Sequence, residues 1–152
     1  MGVAHKWRKS KGSKAERELI HMLWKKGFAA LRAAGSGSMQ HPSPDIVASN
    51  GKISLAIECK ASHRTVKYLE KDEINQLDLF ANLFGARPFV AVRFDNDQWY
   101  FVRIADLKVT PKSYAVNYEV AKKKGLSFAE MIGEYHQERL KPESKEKDSE
   151  SQ

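Results

Sequence analysis

The chain has 152 residues, of which 41% are hydrophobic and 30% charged, and 26 basic against 19 acidic residues give a net charge of +7. This length suits one domain with a real core, and the composition excludes a disordered chain and a bilayer-spanning segment. Because Cys59 is the single cysteine, a disulfide framework and a cysteine zinc cluster are excluded, and a reducing, cytoplasmic compartment is expected. The positive charge favours a polyanionic partner without naming one.

The N-terminal segment is basic and precedes a predicted helix. Residues 1–14 contain five lysine or arginine residues and no acid, and they lack the apolar run of a secretory signal. The tetrapeptide Ser13 to Glu16 matches a capping box, and the apolar residues after it recur at helical spacing. We therefore predict a basic arm over residues 1–12 and a helix from Ser13 to Lys26.

A short strand and a long loop follow this helix. Phe28 to Ala33 is an apolar run that predicts a strand, and residues 35–44, rich in Gly, Ser and Pro, predict a loop. A loop of this length in a small domain is usually functional.

The strongest local pattern is a β-hairpin around Asn50-Gly51, with strands over residues 45–49 and 52–61. In the second strand, Ile53, Leu55, Ile57 and Cys59 alternate with Ser54, Ala56, Glu58 and Lys60. A two-residue loop would place Asp45 opposite Ala56, which makes Asp45 the diagonal neighbour of Glu58. The pattern therefore predicts Asp45, Glu58 and Lys60 on one face of the sheet.

Two carboxylates beside a lysine fit the hydrolysis of a phosphodiester. Carboxylate oxygens are hard ligands that suit Mg²⁺, and an ammonium group can orient or help deprotonate the attacking water and offset phosphate charge. The alternative is an exposed strand face with a cross-strand salt bridge, which an acid-x-Lys triplet alone would favour because such triplets are common. The aspartate on the paired strand, the loop with proline before it and the preceding helix–strand unit favour the catalytic interpretation.

The rest of the chain predicts a helix, a hairpin and a short helical end. A helix over Asp72 to Phe84, ended by Gly85, carries apolar residues around more than half its circumference, which indicates a second contact such as another subunit. Strands are predicted over 88–94 and 98–103, and a C-terminal helix starts at Ser127. The domain is expected to cover 13–140, with a mobile charged tail over 141–152; residues 109–126 yield no prediction.

Pro44-Asp45 and Glu58-Cys59-Lys60 resemble the PD-(D/E)XK nuclease signature. The larger pattern, from about Lys11 to Arg103, resembles the archaeal and phage-type Holliday-junction resolvases, mainly through residues 11–19, 32–38 and 90–94. The resemblance implies an α/β, restriction-endonuclease-like fold in which helices flank a mixed sheet of about five strands. It also implies an endonuclease that resolves four-way DNA junctions by paired symmetric nicks as a homodimer. The expected cofactor is Mg²⁺, with Mn²⁺ able to substitute, and neither a small-molecule cofactor nor a membrane is expected.

The resemblance also assigns roles to single residues. Glu16 would complete the active site with Asp45, Glu58 and Lys60 and reach the metal through a metal-bound water, although it could serve only to cap its helix. Ser36 or Ser38 would lie near the scissile phosphate, or belong to a flexible linker. DNA contacts are expected from Ser38 and from Arg17, Arg32 and Arg93, although Arg17 and Arg32 could instead be surface charges. Independently of the resemblance, Lys11 and Lys14 of the basic N-terminal segment could also contact DNA.

Three residues of the second predicted helix receive two interpretations each. Gln76 would help position catalytic groups or make an interface hydrogen bond. Phe80 and Phe84, one turn apart, would pack subunits together or belong to the core.

By the resemblance the protein would act in the cytoplasm near the nucleoid, or in the cytoplasm of a host cell if it is viral.

Two other functions compete with junction resolution. One is a different nuclease on the same scaffold, such as a flap or mismatch repair enzyme or a restriction enzyme. The other is a catalytically silent module that binds DNA junctions. A two-fold dimer matches the symmetry of a four-way junction, and little chain remains for reading base sequence; a substrate panel and incubation with Mg²⁺ separate the three functions.

Overall fold

The computed structural model describes residues 3–33, with side chains from Lys14 onward, and residues 41–63, 65–95 and 97–134. The described helices are α1 (Val3–Lys25), α2 (Lys71–Phe84), α3 (Tyr118–Lys124) and α4 (Phe128–Met131), with a short 3₁₀ helix at Ile104–Asp106. The strands are β1 (Ala29–Arg32), β2 (Ile46–Ser49), β3 (Ser54–Ser62), β4 (Val66–Glu70), β5 (Arg87–Phe94), β6 (Trp99–Val102), β7 (Lys108–Val109) and β8 (Ser113–Asn117).

A five-stranded sheet in the order β1-β2-β3-β5-β6 forms the centre of the fold. Strands β3 and β5 are parallel, whereas the other neighbouring pairs are antiparallel. Parallel neighbours need a crossover connection, and α2 lies within the one that joins β3 to β5. The predicted mixed α/β architecture is confirmed.

Both faces of this sheet are covered. On one face, Leu55 and Ile57 pack with Leu19 and Leu23 of α1. On the other face, Ala56 packs with Ile74 and with other residues of α2, β5 and β6. The alternation predicted for β3 is thus correct, and it assigns Glu58 and Lys60 to the α2 side, because successive side chains point to opposite faces.

A second, three-stranded sheet in the order β4-β8-β7 was not predicted. It pairs β4, which directly precedes α2, with β8, and β8 with β7; β8 lies in the stretch over 109–126 that had yielded no prediction. The sheet holds the entry to α2 in place, since Leu69 at the end of β4 is buried with Ile74 and Val116.

The predicted start of the first helix is wrong. Helix α1 begins at Val3, so Ser13 lies inside the helix and does not cap it. The backbone of residues 3–12, predicted as an arm, continues the same helix. Residues 3–11 contain no proline or glycine to end the helix, and Gly12 in a helix interior costs only about 1 kcal/mol.

The predicted register of the hairpin is also wrong, by two residues. Ser49 pairs with Ser54, not with Lys52. The longer loop is closed by Asn50, whose side-chain oxygen accepts hydrogen bonds from the N–H groups of Lys52 (2.9 Å) and Ile53 (2.7 Å). Continuing the register by one pair places Asp45 level with Glu58. A shift of two residues keeps every side chain on its predicted face.

The other predicted elements are close to the observed ones. Helix α2 ends at Gly85, which has a φ of 79°, β5 and β6 form the predicted hairpin, and Ser127 caps α4 with a capping box. No described helix is both long and apolar enough to cross a membrane. The predicted serine loop, with Ser36 and Ser38, and the charged tail lie outside the described residues.

Candidate active site

Asp45, which directly precedes β2, and Glu58 on β3 form a carboxylate pair. Asp45 follows the buried Pro44, and its Oδ2 accepts a hydrogen bond of 2.8 Å from the backbone N–H of Cys59. Burial, followed by the charge of Asp45 and a hydrogen bond to it, raises the pKa of Glu58 to about 8. In the absence of a metal, the pair therefore holds a proton at neutral pH.

This pair fits a divalent metal ion. Two adjacent carboxylates repel each other when both are ionised, and hard oxygen donors are what Mg²⁺-type cations bind. Among the residues that the structure describes, no group of three or more His, Cys, Asp or Glu could hold one ion. The pair would leave room for the waters that Mg²⁺ retains, and a contact of Glu16 with the metal through one of those waters stays a prediction.

Lys60 lies beside the pair and is bound to a residue that sequence reasoning missed. Its Nζ is 2.5 Å from Oε1 of Glu73, in the first turn of α2. Burial by itself lowers the pKa of Lys60, but the hydrogen bond and charge of Glu73, with the charges of Glu58 and Asp45, raise it overall. The group is an ammonium ion at neutral pH, which favours charge compensation over proton removal. The sequence gives no distinctive signal for Glu73, since acids are common in a first helical turn.

Glu16 lies at the edge of the same site. Burial, then the charge of Asp45, raises its pKa, while Arg32 and Lys60 act in the opposite direction. Its carboxylate forms a charged hydrogen bond with Arg32 on β1. Because Ser13 is inside α1, the alternative in which Glu16 only completes a capping box with Ser13 is wrong.

The residues predicted to contact DNA differ in their surroundings. Lys14 and Arg17 are exposed along α1, where they line a shallow depression with four other α1 residues: Glu18, His21, Met22 and Lys25. Arg93 is 2.8 Å from Oε2 of Glu18 and lies over the ring of Trp99 at 5.8 Å. Lys11 lies in α1, and its side chain is outside the description.

The broad apolar arc of α2 divides into two parts. Ile74, Leu77 and Ala81 are buried, whereas other apolar residues form an exposed stripe, with Leu79 50%, Leu83 81% and Phe84 54% exposed. Phe80 is half-buried, and its ring stacks on that of Phe84 with centroids 5.2 Å apart.

Gln76 is exposed on α2, one turn before Phe80. Both interpretations of Gln76, an interface hydrogen bond and a role in positioning catalytic groups, stay predictions. Within the described part of α2, Glu73 is the residue that contacts Lys60.

A mixed sheet that carries an acid pair and a lysine on one of its faces defines the chain as a nuclease of the restriction-endonuclease-like class. The family model for the archaeal Holliday junction resolvase (Hjc) matches residues 7–140. The chain is 45% identical to the crossover junction endodeoxyribonuclease Hjc of Archaeoglobus fulgidus, over 87% of this chain and 96% of that one. It is 36% identical to the Hjc of Methanocaldococcus jannaschii, over 86% and 92% of the two chains.

A solved structure agrees with these relatives. The crystal structure of Archaeoglobus fulgidus Hjc, a Holliday junction resolvase from an archaeal hyperthermophile, matches with a TM-score of 0.75 and 42% identity, over 81% of this chain and 99% of that one. The chain belongs to the archaeal Holliday junction resolvase family. The predicted fold and the predicted activity, an endonuclease for DNA junctions, are confirmed. Membership implies a divalent metal requirement and binding of junction DNA.

Proposed function

We propose that the protein resolves four-way DNA junctions by nicking two strands symmetrically, as a homodimer that uses Mg²⁺ and accepts Mn²⁺. The observation that carries this proposal is the Asp45–Glu58 pair, which keeps a proton at neutral pH and lies beside the Lys60 ammonium. Such a pair would exchange its proton for a divalent cation. The proposal excludes a small-molecule cofactor.

Each residue of the site has a distinct task. Asp45 and Glu58 would hold the metal, and the hydrogen bond from the Cys59 N–H fixes the carboxylate of Asp45. When bound, the metal would supply positive charge that polarises the scissile phosphate and makes water more acidic. Lys60, already an ammonium ion, would compensate the charge that builds up on the phosphate.

Glu16 and the serine loop complete the proposed centre. The raised pKa of Glu16 and its charge interaction with Asp45 support a place at the edge of the reaction, where its carboxylate would orient water. Ser36 is proposed as the loop serine near the scissile phosphate. Ser38 is proposed as a DNA contact.

The DNA surface is proposed to run along α1 and across β1 and β5. Exposed Lys14 and Arg17 would contact phosphates directly, as would Lys11. Arg32 and Arg93 are held by acidic residues of α1, so their guanidinium groups are oriented before DNA arrives. Phosphate would then share or replace those ion pairs.

The dimer contact is proposed to lie on the exposed stripe of α2. Leu79, Leu83 and Phe84 are at least half exposed, and Phe80 stacks on Phe84. Apolar side chains clustered on a helix face gain free energy when a second surface covers them. A two-fold contact through α2 would give the dimer two identical sites, as two symmetric nicks require.

A substrate panel tests the proposal. Four-way junctions labelled on each strand in turn, a flap, a mismatch and a plain duplex are incubated with the protein and Mg²⁺. We expect cuts in two opposite strands of the junction at equivalent positions, with the duplex left intact. Preferred cutting of the flap or mismatch, or binding of the junction without any cut, would overturn the proposal.

A further inference from the structure

Lys60 interacts electrostatically with three acidic residues, and among the described residues its hydrogen bond goes to Glu73. Its Nζ is 2.5 Å from Oε1 of Glu73, although the charges of Glu58 and Asp45 act on it as well. A lysine side chain has a flexible four-carbon stem. Without Glu73, the ammonium group would be drawn toward the Asp45–Glu58 pair.

Glu73 is itself held by a second hydrogen bond. Its second oxygen, Oε2, accepts a 3.2 Å hydrogen bond from the backbone N–H of Glu70, at the start of α2. The same helix is anchored by Ile74 and Leu77, which are 1% and 2% exposed. The carboxylate that receives Lys60 is therefore fixed both by the helix start and by the core beneath it.

We propose that Glu73 is a positioning residue that holds the Lys60 ammonium away from Asp45 and Glu58, so that those two carboxylates stay available to a divalent cation. The inference rests on the proposed roles of these three residues. It gives α2 a direct part in the hydrolytic centre. A metal ion and the Lys60 ammonium group must lie close together there, and Glu73 on α2 prevents the ammonium group from occupying the place of the metal ion.

A plain structural salt bridge is the competing explanation. The side chains of Lys60 and Glu73 are 20% and 33% exposed, and partly exposed ion pairs contribute little to stability. A structural role predicts a small change in melting temperature and no change in metal affinity. A third explanation, in which Glu73 only adds negative charge near the metal, predicts a change in affinity that does not depend on Lys60.

The experiment measures the Kd of the protein for Mn²⁺ by titration calorimetry, without DNA. The test variant is Glu73→Gln, which keeps an oxygen for the Glu70 N–H and removes the charge that faces Lys60. Asp72→Asn is the matched control, because it removes an exposed acid from the same helical turn. Both variants are repeated in a Lys60→Met background, and circular dichroism verifies folding.

We expect Glu73→Gln to weaken Mn²⁺ binding by about fivefold and Asp72→Asn by less than about twofold, because a freed ammonium competes for the carboxylates. In the Lys60→Met background, the effect of Glu73→Gln should shrink to less than about twofold. An equal effect in both backgrounds, or no effect in either, overturns the inference. Asp45→Asn is included as well: if it binds Mn²⁺ as tightly as the unmodified protein, the proposed metal site is wrong, whatever Glu73 does.

Discussion

Metal binding should depend steeply on pH, because a proton and a cation compete for the same two carboxylates. In the metal-free protein the pKa of Glu58 is raised to about 8 by burial and by Asp45. Below that pH, Glu58 is protonated, and a metal ion must displace the proton before both carboxylates can bind the metal. The affinity for the metal should therefore fall as the pH falls through about 8, which is well above the pH at which an ordinary glutamate takes up a proton.

The size of the effect follows from this pKa. One competing proton raises the apparent Kd by the factor 1 + 10^(pKa − pH). With a pKa of about 8, the apparent Kd should be about 25-fold higher at about pH 6.5 than at about pH 8.5. At about pH 7, each bound ion should release about 0.9 proton.

Calorimetric titration with Mn²⁺ in two buffers of different ionisation enthalpy measures both quantities. Asp45→Asn is the informative control, since it removes the charge that raises the pKa of Glu58; the pH dependence of metal binding should move to lower pH although the affinity is weaker. A Kd that changes by less than about twofold across this range, with no proton release, would refute the argument that the two carboxylates share one proton.

Three further predictions concern stability and assembly. The pKa of Glu58 is higher in the folded protein than in an unfolded chain, so its contribution to stability is greatest below about pH 4.5 and is lost as the pH rises through about 8. The melting temperature of the metal-free protein should therefore fall over that range, and it should fall less in Glu58→Gln. An equal fall in both proteins would exclude Glu58 as the cause. Leu55→Ala removes a fully buried side chain and should lower the free energy of unfolding by about 3 kcal/mol in urea titrations, against less than about 0.5 kcal/mol for the exposed Leu31→Ala; equal losses would contradict the core assignment. Phe84→Asp should convert the dimer to a monomer in sedimentation equilibrium, since it places a charge on the exposed stripe of α2, whereas a monomeric unmodified protein would refute the proposed contact.

The face of the sheet that carries the site could be predicted from the sequence. Side chains alternate along a strand with a period of two, so the apolar set of Leu55 and Ile57 necessarily assigns Glu58 and Lys60 to the opposite face. The predicted face is correct although the predicted hairpin register is wrong, because a shift of two residues keeps each side chain on the same face. The error arose because the Asn50 side chain closes a longer loop than the Asn-Gly dipeptide normally makes, and strand pattern alone does not determine loop length.

Contacts between distant elements could not be predicted in the same way. Glu73 reaches Lys60 because α2 crosses the sheet on its way from β3 to β5, and the packing of Leu69, Ile74 and Leu77 determines where its first turn lies. The second sheet was missed because β7 is two residues long and β8 is five, too short for an alternating pattern to be distinctive. The identity of the ion pairs that hold Arg32 and Arg93 likewise depends on where α1 packs.

The most direct test of the central claim compares cleavage of a labelled four-way junction by the unmodified protein and by Asp45→Asn, with and without Mg²⁺. We predict that the unmodified protein cuts only with Mg²⁺, and that Asp45→Asn binds the junction with similar affinity but does not cut it. Cleavage by Asp45→Asn at the normal rate would contradict the claim that Asp45 and Glu58 together form the metal centre.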